Sequence, residues 1–273
     1  DPKEAQTVLG ALSGAGTPEA LSAIQNIATD RSGKPEVREA ALGHLGLHDE
    51  PTAETVKTLS KVVATESDQV LKNQAIISLG DAAGRLAMNP KTSADDSALA
   101  KQEIAGLTEQ LQAAKDPQSQ TLYLQALGNA RGATGATATA DYLNSTDPTV
   151  RQAAIFAQRF VAGEQADKAI IGALLRDGDP TLRGTAAQAA SFRQFNPTLL
   201  AGVTEGLKTE SEGLVRGSMV ECLGAYLPQA PAEVRKLLES VSANDADAQV
   251  RDSAAKILKA APGMDNAPPH AAQ

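Results

Sequence analysis

One short phrase recurs seven times along the chain at nearly constant spacing. Each copy has an acidic or proline-marked turn, then Val or Leu followed by Arg, and usually Ala three positions later. The column that most often holds Arg is occupied in turn by Arg38, Lys72, Gln120, Arg151, Arg183, Arg216 and Arg251. Successive differences are 34, 48, 31, 32, 33 and 35 residues. Because a period of this length holds two short helices and their turns, the repeat predicts a stack of helix pairs.

The segments between the copies support this interpretation. They carry apolar residues at helical spacing, as at 19–28, 55–64, 104–114, 168–175 and 199–207. Eight prolines fall where we expect the first turn of a helix: Pro18, Pro35, Pro51, Pro117, Pro148, Pro180, Pro197 and Pro231. The sequence predicts an all-α, right-handed superhelix of about seven helix pairs with one extra helix at the start.

The domain boundaries follow from breaks in the periodicity. We predict a single solenoid over 1–260, with an inserted loop at about 88–98 where the long interval reads MNPKTSADDSA. The polar, proline-rich end at 261–273 is predicted to be a disordered tail. Since the chain opens on Asp1 and is rich in alanine, we expect a segment of a longer or processed bacterial protein. Its compartment is open, with an extracytoplasmic location as one option.

Composition and charge restrict the function. Hydrophobic residues make up 42% of the chain but aromatic residues only 3%, so the core must be built from small aliphatic side chains. The net charge of -8 argues against a nucleic-acid partner, which needs a basic surface. No apolar run is long enough for a transmembrane segment. With one cysteine and three histidines the sequence predicts neither a disulfide nor a metal site, and no cofactor.

The repeated phrase resembles HEAT repeats, antiparallel helix pairs that stack into an α-solenoid. In that family the Arg-bearing helix lies on the concave side, and the Asp at its start forms a ladder with the Arg of neighbouring repeats. The resemblance implies that six residues form such a ladder between neighbouring repeats: Asp147, Arg151, Asp179, Arg183, Asp247 and Arg251. Lys72 and Gln120 depart from the pattern in the middle of the chain.

A second resemblance is to the helical domain of the large lipid transfer proteins, the family of vitellogenin, lipovitellin and the microsomal triglyceride transfer protein. The phrase LYLQALGNARG (122–132) is similar to that family's ALGNAG phrase, and VLGALSGAGTPEALSAI (8–24) and DPTVRQAAIFAQRF (147–160) are similar to the segments around it. The likeness spans about 5–215. It implies the helical scaffold, while the lipid-enclosing β-sheets of that family are absent from this chain.

Several isolated motifs are explained more simply by a structural role than by catalysis or ligand binding. The glycines at 128–135 follow an amphipathic helix and lack a following Lys, so they predict a turn at a helix end rather than a phosphate loop. His44 and His48 stand four apart, but His48 falls past the helix end, which disfavours a metal pair. Cys222 is expected to be a buried, inert thiol. Asp177 and Asp179 are expected to serve turns and caps, and the sequon at Asn144 is a pattern common by chance.

One column does not fit a purely structural role. The position five residues after the Arg column is mostly polar and should face solvent, yet it holds Phe156 in the fourth copy. Phe160 and Phe192 extend the same stripe, with Arg159 and Arg193 nearby. These five residues are our candidate partner-binding patch, and the alternative is that neighbouring segments cover the phenylalanines.

The leading functional hypothesis is a non-catalytic scaffold that binds a protein or peptide partner on its concave face. The alternative is the helical module of a lipid-binding or lipid-transfer protein, although inner-face residues such as Gln125, Gln188 and Glu221 are polar for a lipid cavity. An enzyme of the HEAT-like class, such as a DNA glycosylase or a bilin lyase, is disfavoured by the acidic balance and the absence of Trp.

Overall fold

The structure, a computed structural model, describes residues 2–261. Within that range the regular elements are fifteen α-helices and one 3-10 turn, which is the predicted leading helix followed by seven helix pairs. All seven copies of the repeated phrase lie on odd-numbered helices, from α3 (Pro35–Leu47) to α15 (Ala248–Ala260). The all-α fold is therefore confirmed. From residue 262 onward the predicted tail lies outside the described residues.

The chain divides into two compact units, residues 1–142 and 143–273. The first unit holds eight helices: α1 (Pro2–Ala15), α2 (Pro18–Thr29), α3 (Pro35–Leu47), α4 (Ala53–Thr65), α5 (Gln69–Met88), α6 (Ala94–Ala113), α7 (Pro117–Asn129) and α8 (Ala133–Ala140). Here α1, α3, α5 and α7 pack side by side in one layer, and α2, α4, α6 and α8 form the second. The single array over 1–260 and its right-handed twist stay predictions.

The second unit repeats this two-layer arrangement. Its helices are α9 (Pro148–Ala157), α10 (Glu164–Arg176), α11 (Pro180–Ser191), α12 (Pro197–Thr209), α13 (Gly213–Tyr226), α14 (Pro231–Asn244) and α15 (Ala248–Ala260), with the 3-10 turn Gln158–Phe160 after α9. We call α9, α11, α13 and α15 the arginine layer, because each carries one arginine of the repeat column. Neighbours within this layer pack against each other, and α10 packs against α12 behind it.

Proline and cap residues set the helix starts. Seven of the eight predicted prolines occupy the first turn of a helix, where the missing N–H costs nothing. Pro51 is the exception, because α4 begins after the N-cap Thr52, whose side chain accepts from the backbone N–H of Thr55. Local sequence signals therefore place most helix starts correctly.

The inserted loop predicted at 88–98 is much shorter in the structure. The chain leaves helical geometry only between Met88 and Ala94, where Ser93 caps α6. The long interval is filled instead by helix, because α5 and α6 have 20 residues each. The predicted loop was too long because we took the loss of apolar periodicity around Pro90 as the loss of helix. The polar residues after Ser93 form the first turn of α6 instead, which contains Asp95 and Asp96.

Two glycines allow α5 and α7 to approach backbone to backbone. A Cβ atom built on Gly80 would lie 2.1 Å from the carbonyl oxygen of Ala126, and one built on Gly84 would lie 1.9 Å from that of Ala130. No side chain fits at such distances. The two alanines of the ALGNA phrase, Ala126 on α7 and Ala130 directly after it, thus lie against a Gly-x-x-x-Gly pair on α5, which explains why both segments are built from small residues.

Candidate functional site

The arginines of the second unit form a continuous chain of ion pairs along the arginine layer. Arg151 donates from Nε to Asp177 over 2.8 Å, and Arg183 donates from Nη2 to Glu210 over 2.9 Å. Arg216 donates from Nε and Nη2 to the two carboxylate oxygens of Asp245, both over 2.8 Å. Each acid lies in the loop before the next helix of the layer. We call this set the arginine relay.

The same loop residues also accept from the arginine that follows them. The main-chain carbonyl of Asp177 accepts from Nη1 of Arg183, that of Glu210 accepts from Arg216, and that of Asp245 accepts from Arg251. One acidic residue per loop therefore contacts two successive arginines, with its side chain and its backbone. The relay ties each repeat to the next.

The carboxylates in this arrangement differ from those we predicted. Asp147, Asp179 and Asp247 cap their own helices by accepting backbone N–H groups two residues ahead, so they do not pair with the column arginines. The acids that we did not predict, Asp177 and Asp245, lie two positions before the predicted Asp179 and Asp247. They pair with arginines because the arginine side chain reaches the loop rather than the start of the helix. A recurring acid-x-acid pattern, in 177–179, 210–212 and 245–247, is the sequence signal that could have located them.

The first unit keeps only part of this scheme. Arg38 pairs with Glu66, again in the loop before the next helix of its layer. Gln120 retains the backbone half, since its side-chain amide donates to the carbonyl of Ala114 six residues upstream. The Lys72 side chain makes no hydrogen bond or ion pair with any residue in 2–261 that the structure describes, although its backbone N–H donates to the carbonyl of Asp68. The predicted break of the ladder at Lys72 and Gln120 is thus visible as a loss of carboxylate partners.

The ion pairs of the arginine relay make the stability of the fold depend on pH. Arg183 and Arg216 lower the pKa of Glu210 and Asp245. Burial raises the pKa of Asp177, but Arg151 and the backbone N–H of Asp179 outweigh this, so the net pKa is also lowered. A carboxyl with a depressed folded-state pKa stabilises the fold above its unfolded pKa, about 4, and loses this as pH falls through the folded value. We expect the melting temperature to be level from pH 7 to 5.5 and to fall below about pH 4. Thermal unfolding followed by circular dichroism measures this, and a rise in stability on acidification from pH 5 to 3 would contradict it.

The three predicted phenylalanines come together in the second unit. The Phe192 ring lies edge-on to Phe156 and to Phe160, with centroids 5.9 and 5.8 Å apart. The Arg159 guanidinium carbon lies 4.1 Å from the Phe156 ring centroid and 4.6 Å from that of Phe160. We call these four residues the aromatic cluster. Only Phe192 is well exposed, at 52% of its surface, while Phe156 packs partly against the core.

Arg193, the fifth predicted residue, is used inside the protein. Its buried guanidinium pairs with Asp167 and donates to the main-chain carbonyls of Gln158 and Val161 over 2.7 and 2.6 Å. Asp167 also accepts from the amide of Asn196, the N-cap of α12. Arg193 therefore holds the end of α11 against α10 and against the turn that contains Phe160, and these contacts occupy its guanidinium.

A groove runs between α11 and α13 on the exposed face of the arginine layer. It encloses about 550 Å³, and its lining includes Thr181 and Gln188 on one wall and Glu212, Leu214 and Glu221 on the other. The lining combines apolar residues such as Leu214 with three hydroxyl groups and one side-chain amide. Its two charged residues are both glutamates. We call it the acidic groove. It ends at Ser191, the residue before Phe192.

Cys222 lies in the core beneath this face, as predicted. It is fully buried, and burial raises the pKa of the thiol to about 12. Tyr226, one turn later, is also fully buried and donates its hydroxyl to the carbonyl of Ala190 over 2.8 Å. This contact joins α13 to α11.

The burial of Cys222 predicts that its thiol reacts slowly with alkylating reagents. Because the thiolate is the reacting form and no surface of the side chain is open, we expect no measurable alkylation of the native protein by iodoacetamide at pH 8 over an hour. Unfolding in urea should make the thiol react completely under the same conditions. Mass spectrometry counts the adduct, and rapid native labelling would show that the helix packing around Cys222 opens.

The remaining motifs have structural roles. The glycine stretch is confirmed as a turn at a helix end, since α7 ends at Asn129, Arg131 and Gly132 have positive φ of 47° and 125°, and α8 begins at Ala133. His48 follows α3 and is buried, and its Nδ1 accepts from the backbone N–H of Glu50. Among residues 2–261 no three His, Cys, Asp or Glu side chains are grouped to hold a metal ion. None of the helices described has the length and apolar content that crossing a membrane requires.

These features define a class of protein: an all-helical repeat scaffold, a solenoid of helix pairs in which buried and partly buried arginines link neighbouring repeats. Comparison with protein families then identifies the family. The Vitellogenin TPR domain model matches residues 1–176, and the chain belongs to this family. The match is shorter than the 5–215 that the sequence phrases suggested, and it ends with α10.

Other comparisons add less. No curated protein matches the chain. Among solved structures, human deoxyhypusine hydroxylase in complex with glycerol is 20% identical, with 83% of this chain and 80% of that chain covered and a TM-score of 0.38. An engineered protein is 16% identical, with 88% and 95% covered and a TM-score of 0.34.

Proposed function

We propose that this chain is a non-catalytic helical scaffold that binds a protein or peptide partner on the exposed face of the arginine layer, with Phe192 as the central contact. The observation that carries the proposal is the aromatic cluster. Phe192 exposes half of its surface although Phe156, Phe160 and Arg159 hold it in place. Rigid, exposed aromatic side chains are the residues that most often dominate binding energy at interfaces.

The electrostatics of the second unit favour a scaffold over an enzyme. Ionisable groups with shifted pKa values in its described part include the arginines and acids of the relay and the Cys222 and Tyr226 pair. Ion pairing and core burial account for each of them, and none requires a reacting substrate. These groups hold helices together.

A peptide-display selection on the immobilised chain tests the proposal. We expect enriched peptides whose binding weakens at least about tenfold in Phe192→Ser, because the replacement removes the exposed ring. The matched control is Leu47→Ser, which removes an exposed apolar side chain in the first unit and should leave binding unchanged. Equal enrichment on the wild type and Phe192→Ser would overturn the role of the cluster.

The lipid-binding alternative is tested separately. The polar side chains Gln152, Gln188 and Glu221 on the arginine layer favour a peptide over an acyl chain. Native mass spectrometry of the purified chain, followed by organic extraction, should therefore give a bare polypeptide mass. Stoichiometric lipid would instead favour the alternative.

A further inference from the structure

The exposed apolar side chains of the second unit mark the two ends of the acidic groove. In its described residues two large hydrophobic side chains are strongly exposed, Phe192 at 52% and Leu214 at 84%. Leu214 lies in the first turn of α13 and lines the groove, whereas Phe192 directly follows α11 at the other end. Leu214 is thus an apolar contact point within the groove, and Phe192 is a second one beside its other end, next to the lining residue Ser191.

The two helices that form the walls run in the same direction and in register. A Cβ atom on Gly184 of α11 would lie 3.7 Å from Oγ of Ser218 on α13, and the hydroxyl of Tyr226 bonds the carbonyl of Ala190. The α11 wall has 12 residues, which is about 18 Å of helix. An extended chain covers that length in about five or six residues.

The charged residues that line the groove are both acidic, and the nearest cation with an electrostatic effect on either of them among the described residues, Arg183 beside Glu212, is bound to Glu210. Glu212 and Glu221 are exposed, line the same wall, and form no ion pair there. Glu212 occupies the N-cap position of α13, yet its side chain makes no cap hydrogen bond, unlike Asp179 at the start of α11. A longer acid at this place leaves its carboxylate directed to solvent and available to a partner.

We propose that the acidic groove binds an extended peptide segment of about five or six residues that carries two basic side chains and an apolar side chain near each end. The basic side chains meet Glu212 and Glu221, and the apolar ones meet Leu214 and Phe192. The hydroxyl and amide groups of Thr181, Gln188, Ser191 and Ser218 provide hydrogen-bond partners for the peptide main chain. The inference rests on the proposed function and names the chemistry of its partner.

The probe is an acetylated and amidated peptide of sequence GLKAKLG, titrated into the full chain and followed by two-dimensional NMR. We expect saturable shifts at residues 180–192 and 212–221. The double variant Glu212→Gln/Glu221→Gln should bind about tenfold more weakly, since each exposed pair contributes a few-fold. Leu214→Ser should weaken binding by a similar factor.

Two controls test whether binding depends on the charge of the groove. The variant Glu233→Gln/Glu239→Gln removes two exposed acids from α14, in the other layer, and should bind like the wild type. The peptide GLEAELG should give no saturable shifts. Equal binding of the two peptides, or a groove double variant within about twofold of the wild type, overturns the proposal, since either result removes the charge argument.

The outcomes also distinguish this proposal from the one before it. If displayed peptides depend on Phe192 but GLKAKLG shows no dependence on the two glutamates, the scaffold function stands and the groove chemistry is wrong. If neither the display selection nor the probe gives binding that Phe192→Ser weakens, the proposed function itself fails.

Discussion

Replacing Gly84 by alanine is expected to lower the free energy of unfolding by about 2 to 3 kcal/mol, although alanine is the better helix former by about 1 kcal/mol. The added methyl would lie 1.9 Å from the carbonyl oxygen of Ala130 and 2.6 Å from its Cα atom. These are backbone atoms, so relief requires α5 and α7 to move apart. Urea unfolding followed by circular dichroism at 222 nm measures the loss.

The matched control for this variant is Gly106→Ala on α6. A Cβ atom there meets no heavy atom within 4 Å, so only helix propensity changes. We expect Gly106→Ala to raise the free energy of unfolding by about 0.5 to 1 kcal/mol. The same glycine-to-alanine replacement should thus change the free energy of unfolding in opposite directions at the two positions. If Gly84→Ala proved as stable as the wild type, the close approach of α5 and α7 would be wrong.

Replacing Arg216 by methionine is expected to cost about 3 to 5 kcal/mol, because it leaves the buried Asp245 carboxylate without its partner. The two side chains are only 10% and 8% exposed, and the arginine also donates to the carbonyls of Glu210 and Ser211. We further expect the acid unfolding transition of this variant to move to higher pH. The depressed pKa of Asp245 depends on the arginine first of all.

The control is Lys168→Met, which breaks a 3.0 Å ion pair with Glu164 on the surface of α10. Both side chains are more than half exposed, so solvent screens the pair and we expect a change below about 0.5 kcal/mol. A loss at Arg216 no larger than that at Lys168 would show that the relay does not hold the repeats together.

The helices of this protein could be predicted because their signals are local. Proline in the first turn, a capping Asp or Thr before it, and apolar residues at helical spacing act within one helix, so the sequence is sufficient to place them. The aromatic cluster was also within reach, since Phe156 and Phe160 share a helix stripe and Phe192 is one period away. Its exposure, however, depends on packing that no local pattern describes.

Contacts between repeats were decided by the tertiary structure. The sequence alone determined that seven helix pairs would stack and that Arg151, Arg183, Arg216 and Arg251 would occupy equivalent positions. Only the packed structure decided that these arginines reach the loop acids Asp177, Glu210 and Asp245 rather than the helix caps, and that Arg193 turns inward to Asp167. The reason is physical: an arginine side chain can reach several acids at a helix end, and the spacing of neighbouring helices, set by small residues such as Gly80 and Gly84 in the first unit, decides which contacts form.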